Sequence, residues 1–318
     1  MRVADSEAST ADLRDAVSST VIRDFRTEQP ASDAEFAVFR RLYDYNARPL
    51  NATVERADTT QYWIREVVAF DLPDGERGGA VLFVPRTYRR PLQSVVYWSG
   101  GFLLFMGSVD EEIPRYFDFV VRSGRIVAIP IIAGGYGRPD PRPIGSQGEV
   151  PLGPMDHAYR DLAIGWVKDF RRVIDYLETR PDVEAQAIGY YGFSFGGRMA
   201  AQVLAVEPRL KAAVLNVGGL GGSPYLPEVD PFNFLPRVRT PVLMINGEHD
   251  IVFPYETSQR PMFDRLGTPP ENKRLHLTPA AHMVLLDELI TQTLGWFDQY
   301  LGVPAGTGSQ PDTRAPLG

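Results

Sequence analysis

At 318 residues, 44% of them hydrophobic and 11% aromatic, the chain has enough apolar material for one large α/β domain with extensions or for two small domains. A formal net charge of −7 excludes the basic surface on which nucleic-acid binding depends. The lack of cysteine excludes disulfides, thiolate metal sites and a cysteine nucleophile together.

In chain order, Met1 to Ala4 lead straight into Asp5 and Glu7 with no apolar h-region, so no signal peptide is expected. No stretch approaches the roughly 18 apolar residues of a membrane span, and a cytoplasmic protein is the expectation. Residues 1–60 lack strand alternation. Within them, 12–25 and 34–42 have helical spacing, punctuated by Pro30 and Pro49, and predict a helical N-terminal extension over the main domain. From Tyr62 the pattern changes, and residues 63–72 and 79–84 predict a hairpin turning at Pro73-Asp74-Gly75.

Strand and helix then alternate. Strands are predicted at 94–98, 125–132, 187–193, 212–217, 241–246 and 275–277, and helices at 109–123, 159–177, 197–206 and 284–301. Continuous apolar strands separated by helices predict an α/β domain over 61–302, a mostly parallel twisted sheet with helices on both faces. The long loops 133–157 and 218–240 leave strands at their carboxyl ends, where open α/β sheets bind ligands, and are expected to wall a site. The tail 303–318, rich in Gly, Pro, Ser and Thr, is expected to be disordered.

The chemistry enters at Gly192-Phe193-Ser194-Phe195-Gly196, between an apolar strand and a small-residue helix. In that setting G-x-S-x-G is a nucleophile elbow: a sharp turn raises the serine hydroxyl above the sheet edge, open to a base and to a substrate carbonyl. A nucleophilic Ser194 needs a base, and the base needs an acid to orient it. Asp250 ends the strand and turn 241–250, and His282 follows in the loop before the last helix, giving the chain order serine, acid, histidine. Among the other histidines, His276 falls within a short strand, His249 adjoins Asp250, and His157 precedes the serine and breaks the order. Glu248 and Asp230 are the competing acids.

An oxyanion needs two donors. One is the backbone N–H of Phe195. The other is expected from Ser99-Gly100-Gly101-Phe102 after the strand 94–98, with Gly101 ahead of Phe102. Phe102 and Phe193 are candidate substrate contacts, and Phe195 flanks the oxyanion position. Trp98 and Phe105 cluster with them in sequence.

With these residues in view, the chain resembles the α/β-hydrolase superfamily. The likeness is to its dienelactone-hydrolase-like and prolyl-oligopeptidase-like serine esterases, and more narrowly to hydrolase domains fused behind some bacterial serine/threonine protein kinases. It runs from about Tyr43 to Gly302 and rests on segments 117–124, 175–182, 190–197 and 234–243. The chain carries no kinase domain, has serine where dienelactone hydrolases proper have cysteine, and lacks an acidic residue after Tyr136.

The resemblance implies carboxylester hydrolysis by Ser194, Asp250 and His282, without metal or organic cofactor. A small-molecule ester is the expected partner, with neither nucleic acid nor membrane. The oligomeric state stays open, a homodimer being one option. A prolyl-oligopeptidase-like peptidase, a thioester or carbon–carbon hydrolase, and a non-catalytic binding protein remain the alternatives.

Overall fold

The strands β1 (Thr53–Thr59), β2 (Trp63–Asp71), β3 (Arg77–Pro85), β4 (Leu92–Trp98), β5 (Ile126–Ile131), β6 (Val183–Phe193), β7 (Leu210–Asn216), β8 (Val242–Gly247) and β9 (Lys273–Thr278) form one sheet. Their spatial order is β1-β2-β3-β5-β4-β6-β7-β8-β9. The structure is a computed structural model that describes residues 23–46, 48–112, 114–140 and 153–306. The β1, β2, β3 and β5 pairings are antiparallel, and every pairing from β5 through to β9 is parallel. The helices are α1 (Asp33–Arg41), α2 (Asp118–Arg122), α3 (His157–Thr179), α4 (Phe195–Val206), α5 (Pro231–Phe234), α6 (Arg260–Arg265) and α7 (Leu286–Leu301).

Side chains alternate across a strand, so the central strands serve two layers at once. On one face Tyr97 and Tyr191 are 5.3 Å apart between ring centroids, with Phe117 5.5 Å from Tyr97 and Phe119 of α2 6.1 Å from Tyr191. On the other, Phe170 of α3 lies 5.5 Å from Trp98 and 5.4 Å from Tyr190. Burying a side chain of this size contributes roughly 1.5–3 kcal/mol. These rings therefore fix β4 and β6, whose ends carry the site, more firmly than any edge strand.

The sheet starts earlier than the boundary at residue 60 allows. β1 is a strand within the stretch expected to be helical, and all but one of its residues are exposed. A strand with no buried face leaves no hydrophobic alternation in its sequence. The N-terminal stretch does hold one helix, α1, closed by a reciprocal cap: Ser32 Oγ accepts from Glu35 N–H at 3.3 Å, and Glu35 Oε2 accepts from Ser32 N–H at 2.8 Å. The helix expected over 12–25 lies almost wholly outside the described residues.

The helix expected over 109–123 is broken. Two tight turns, Val109–Glu111 and Pro114–Tyr116, precede the short α2, because Pro114 supplies no N–H to continue a helix. At the other end, residues 303–306 of the expected disordered tail are held in place, with Arg89 N–H donating to Ala305 O at 3.0 Å. Residues 307–318 are outside the described set.

The loop 218–240 also departs from expectation. Its second half is buried beneath the N-terminal segment rather than walling a site: Phe25 lies tilted against Phe232 at 5.1 Å, and Phe36 meets Phe234 edge-on at 5.3 Å. Asp230 there accepts from Phe232 N–H and pairs with Arg23 at 2.8 Å, so it caps α5 and is committed away from any histidine.

Candidate active site

Ser194 sits between β6 and α4 with φ 50° and ψ −101°, a left-handed conformation unfavourable for a residue with a Cβ. Its neighbours hold it there: Ser194 N–H donates to Asn216 O of β7 at 2.8 Å, and Ser194 O accepts from Arg198 N–H at 3.0 Å. Gly196 makes the turn possible. A Cβ at that position would stand 2.0 Å from Trp98 O, so only glycine lets α4 start this close to β4.

Asp250 and His282 come from two turns at the carboxyl ends of β8 and β9. The turns are stitched together by Glu248 N–H to Thr278 O and His249 N–H to Ala280 O, both 2.9 Å. Gly247 permits the contact, since a Cβ there would meet Ala281 O at 2.0 Å. The result is a continuous chain of hydrogen bonds. Ser194 Oγ is 2.8 Å from His282 Nε2, and His282 Nδ1 is 2.8 Å from Asp250 Oδ2. A carboxylate only accepts, so the Nδ1 proton points to Asp250 and Nε2 is left to accept from the serine. The Asp250 side chain is fully buried, and its Oδ1 accepts from Val252 N–H at 2.8 Å and Phe253 N–H at 3.0 Å. That locks the carboxylate in one orientation.

The other candidates are elsewhere. His276 Nε2 is 2.8 Å from Glu288 Oε2 and ties β9 to α7. Glu248, His249 and His157 are exposed.

On the opposite side of Ser194, a tight turn over Gly101–Leu104 follows β4. Its first intraturn bond runs from Leu103 N–H to Gly100 O, which leaves the Gly101 and Phe102 amides without a partner inside the turn. Phe195 heads α4, and its N–H likewise has no backbone partner among the described residues. The two turns abut: a Cβ on Gly101 would lie 3.9 Å from Phe195 Cβ, and Gly196 N–H donates to Ser99 O at 3.1 Å.

A second tier supports this turn. Leu103 O accepts from Tyr136 N–H at 3.0 Å, and the Tyr136 hydroxyl donates to Glu112. Burial, reinforced by the Glu112 carboxylate, pushes the Tyr136 phenol far above its ordinary range and keeps it a donor. Arg138 Nη1 anchors the same loop to α3 by donating to Asp169 at 2.6 Å. The Gly-Gly-Tyr-Gly-Arg run of residues 134–138 was the available signal: left-handed backbone at Gly134, Tyr136 and Gly137 marks a loop folded back on itself.

The aromatic candidates divide. Phe102 is half-buried, 5.9 Å from Phe193. Phe193 is 4% exposed and stacks on Tyr116, so it backs the site from below, 6.3 Å from the His282 ring. The Phe195 ring turns away toward Trp98 and Trp166. Phe105, by contrast, is exposed. Arg198, one turn along α4, carries no motif signal; it donates to the Tyr225 hydroxyl at 2.8 Å and has no ion-pair partner among the described residues. Among those residues there is also no cluster of three or more potential metal ligands, and no helix is long and apolar enough to cross a membrane.

The Dienelactone hydrolase family profile matches residues 156–277, a span that takes in Ser194 and Asp250 but stops short of His282. No curated relative matches the chain. Among solved structures, acetyl xylan esterase 1 from Thermoanaerobacterium sp. JW/SL YS485 superposes with a TM-score of 0.68 at 16% identity, covering 86% of this chain and 95% of that one. The acetyl xylan esterase of Paenibacillus sp. R4 gives 0.66 at 21% identity, covering 86% and 96%. A glucuronoyl esterase from Solibacter usitatus gives 0.55 at 17%, covering 88% and 96%. At such identities the likeness establishes the fold.

Proposed function

Taking as premise a chain of the α/β-hydrolase fold with a dienelactone-hydrolase-like segment, we propose that it is a serine hydrolase that cleaves carboxylic esters through an acyl-enzyme on Ser194. The observation that carries the reading is the pair of 2.8 Å contacts linking Ser194, His282 and a buried Asp250. Nothing structural requires that chain; a base for the serine proton does.

His282 Nε2 takes the proton as Ser194 Oγ attacks the ester carbonyl. General-base catalysis of this kind is worth about 10²–10⁴ in rate. The oxyanion accepts from the N–H groups of Phe195 and Gly101, each worth on the order of 10²–10³. Asp250 faces the imidazolium and stabilises it without taking its proton. His282 then protonates the departing alkoxide, and water activated by the same imidazole hydrolyses the acyl-enzyme.

A fluorophosphonate probe and a panel of p-nitrophenyl esters beside aminoacyl-p-nitroanilides test this reading. Labelling of wild type that disappears in Ser194→Ala, with turnover of esters over anilides, is expected. Folded wild type that takes no label would identify a binding protein instead, and faster anilide turnover would identify a peptidase.

A further inference from the structure

The ester reading can be carried one step further, to the alcohol half of the substrate. In the tetrahedral intermediate the oxyanion is pinned at the Gly101 and Phe195 amides, and the leaving oxygen must lie near His282 Nε2, which protonates it. The alcohol therefore departs past the His282 imidazole, whose turn is strapped to the one that carries Asp250. These turns display Ile251 at 87% exposure, Val252 at 55%, Met283 at 46% and Leu285 at 52%.

The placement follows from the local chemistry. Val252 N–H folds back onto Asp250 Oδ1, which puts Ile251 at the apex of its turn. The strapping of residues 248 and 249 to 278 and 280 brings the second turn alongside. Apolar side chains thus emerge immediately after both members of the acid–base pair, with the exposed Glu248 and His249 at their edge. Exposed apolar groups concentrated beside a reactive centre mark a ligand surface rather than ordinary surface scatter. A permanently bound partner is a poor occupant, because covering the turns would seal the His282 side chain, 24% exposed, from the water that deacylation consumes. The occupant has to come and go with turnover.

We propose that Ile251, Val252, Met283 and Leu285 form the alcohol subsite and select esters of apolar alcohols, with an alkyl chain of about four to eight carbons or an aryl group, over esters of sugars. In the first half-reaction the acyl–oxygen bond breaks, the Ser194 ester forms, and the apolar alcohol leaves with the proton held by His282. The inference rests on the serine-esterase reading above.

The test compares kcat/KM for methyl, butyl and octyl acetate and an acetylated methyl xyloside. It uses wild type and the Ile251→Ser, Val252→Ser, Met283→Ser and Leu285→Ser variants, with the oligomeric state followed by light scattering. A fully buried methylene is about a fourfold effect, and a half-open rim predicts about twofold per methylene in wild type, expressed mainly in KM. Each serine variant should lower the octyl-to-methyl ratio severalfold. The proposal is overturned if wild type turns over methyl acetate yet is indifferent to alcohol length. It is equally overturned if the ratio survives all four substitutions, or if they dissociate a dimer while leaving the ratio intact. Wild type inert toward every ester removes the esterase reading itself, and the subsite with it.

Discussion

The two sides of Ser194 are built on different terms. The proposed oxyanion side is backbone: amides at Gly101 and Phe195, held by a turn whose position follows from close packing at Gly196 and from the Tyr136–Glu112 contact beneath it. The proposed acid–base side is side chain: an imidazole and a carboxylate on two turns stitched by main-chain bonds and fringed by exposed apolar groups. Backbone geometry tolerates any residue that fits and fails by steric displacement. Side-chain chemistry fails as soon as the residue type changes. Substitutions on the two sides should therefore produce different kinetic signatures.

The largest effect belongs to the acid–base side. Asp250→Asn keeps the shape but offers His282 a group that can also donate, so the imidazole loses its tautomer and its counter-charge. A fall in kcat of about 10⁴ with KM little changed is expected, measured on a p-nitrophenyl ester. A loss below tenfold would mean another carboxylate does the work.

Tyr136→Phe probes the oxyanion side at one remove. Losing a buried hydrogen bond to a carboxylate costs about 1–3 kcal/mol, visible as a lower urea midpoint. The slackened turn should lower kcat up to roughly tenfold, well short of the 10²–10³ for deleting an oxyanion donor. Lost stability with kcat intact would show that the turn holds its position without this brace.

The smallest effect on turnover is expected at Asp169, the remote anchor of the same loop. Burial outweighs the adjacent Arg138 guanidinium and pushes the Asp169 carboxyl up from 3.8 to about 6. The folded state therefore binds more protons than the unfolded chain across that window. Stability from this group is fully present below about pH 4 and is lost as pH rises through about 6. Thermal melts between pH 4 and 6 should show that slope in wild type and a flatter one in Asp169→Asn, with kcat unchanged. An unaltered slope would assign it to other groups.

The same division explains what could be read in the sequence. That Ser194, Asp250 and His282 would meet was legible because the proposed chemistry depends on residue type and their order follows the strands. The proposed oxyanion amides were signalled only by the glycines after β4, since a backbone N–H leaves no mark of its own. Tyr136 and Glu112 were missed because they meet only after the loop folds back. β1 escaped because its residues face water and carry no alternation. The loop 218–240 was misjudged because Phe232 and Phe234 are buried by Phe25 and Phe36, partners some two hundred residues away that no local pattern reveals.

Whether Ser194 and His282 act as one unit is measured most directly by turnover in Ser194→Ala, His282→Ala and the double variant. Each single change should cost on the order of 10⁵–10⁶ in kcat, and the double variant should be no slower than either, because removing one member already disables the other. Losses that multiply would contradict the account, since they would mean that hydroxyl and imidazole, 2.8 Å apart, contribute independently.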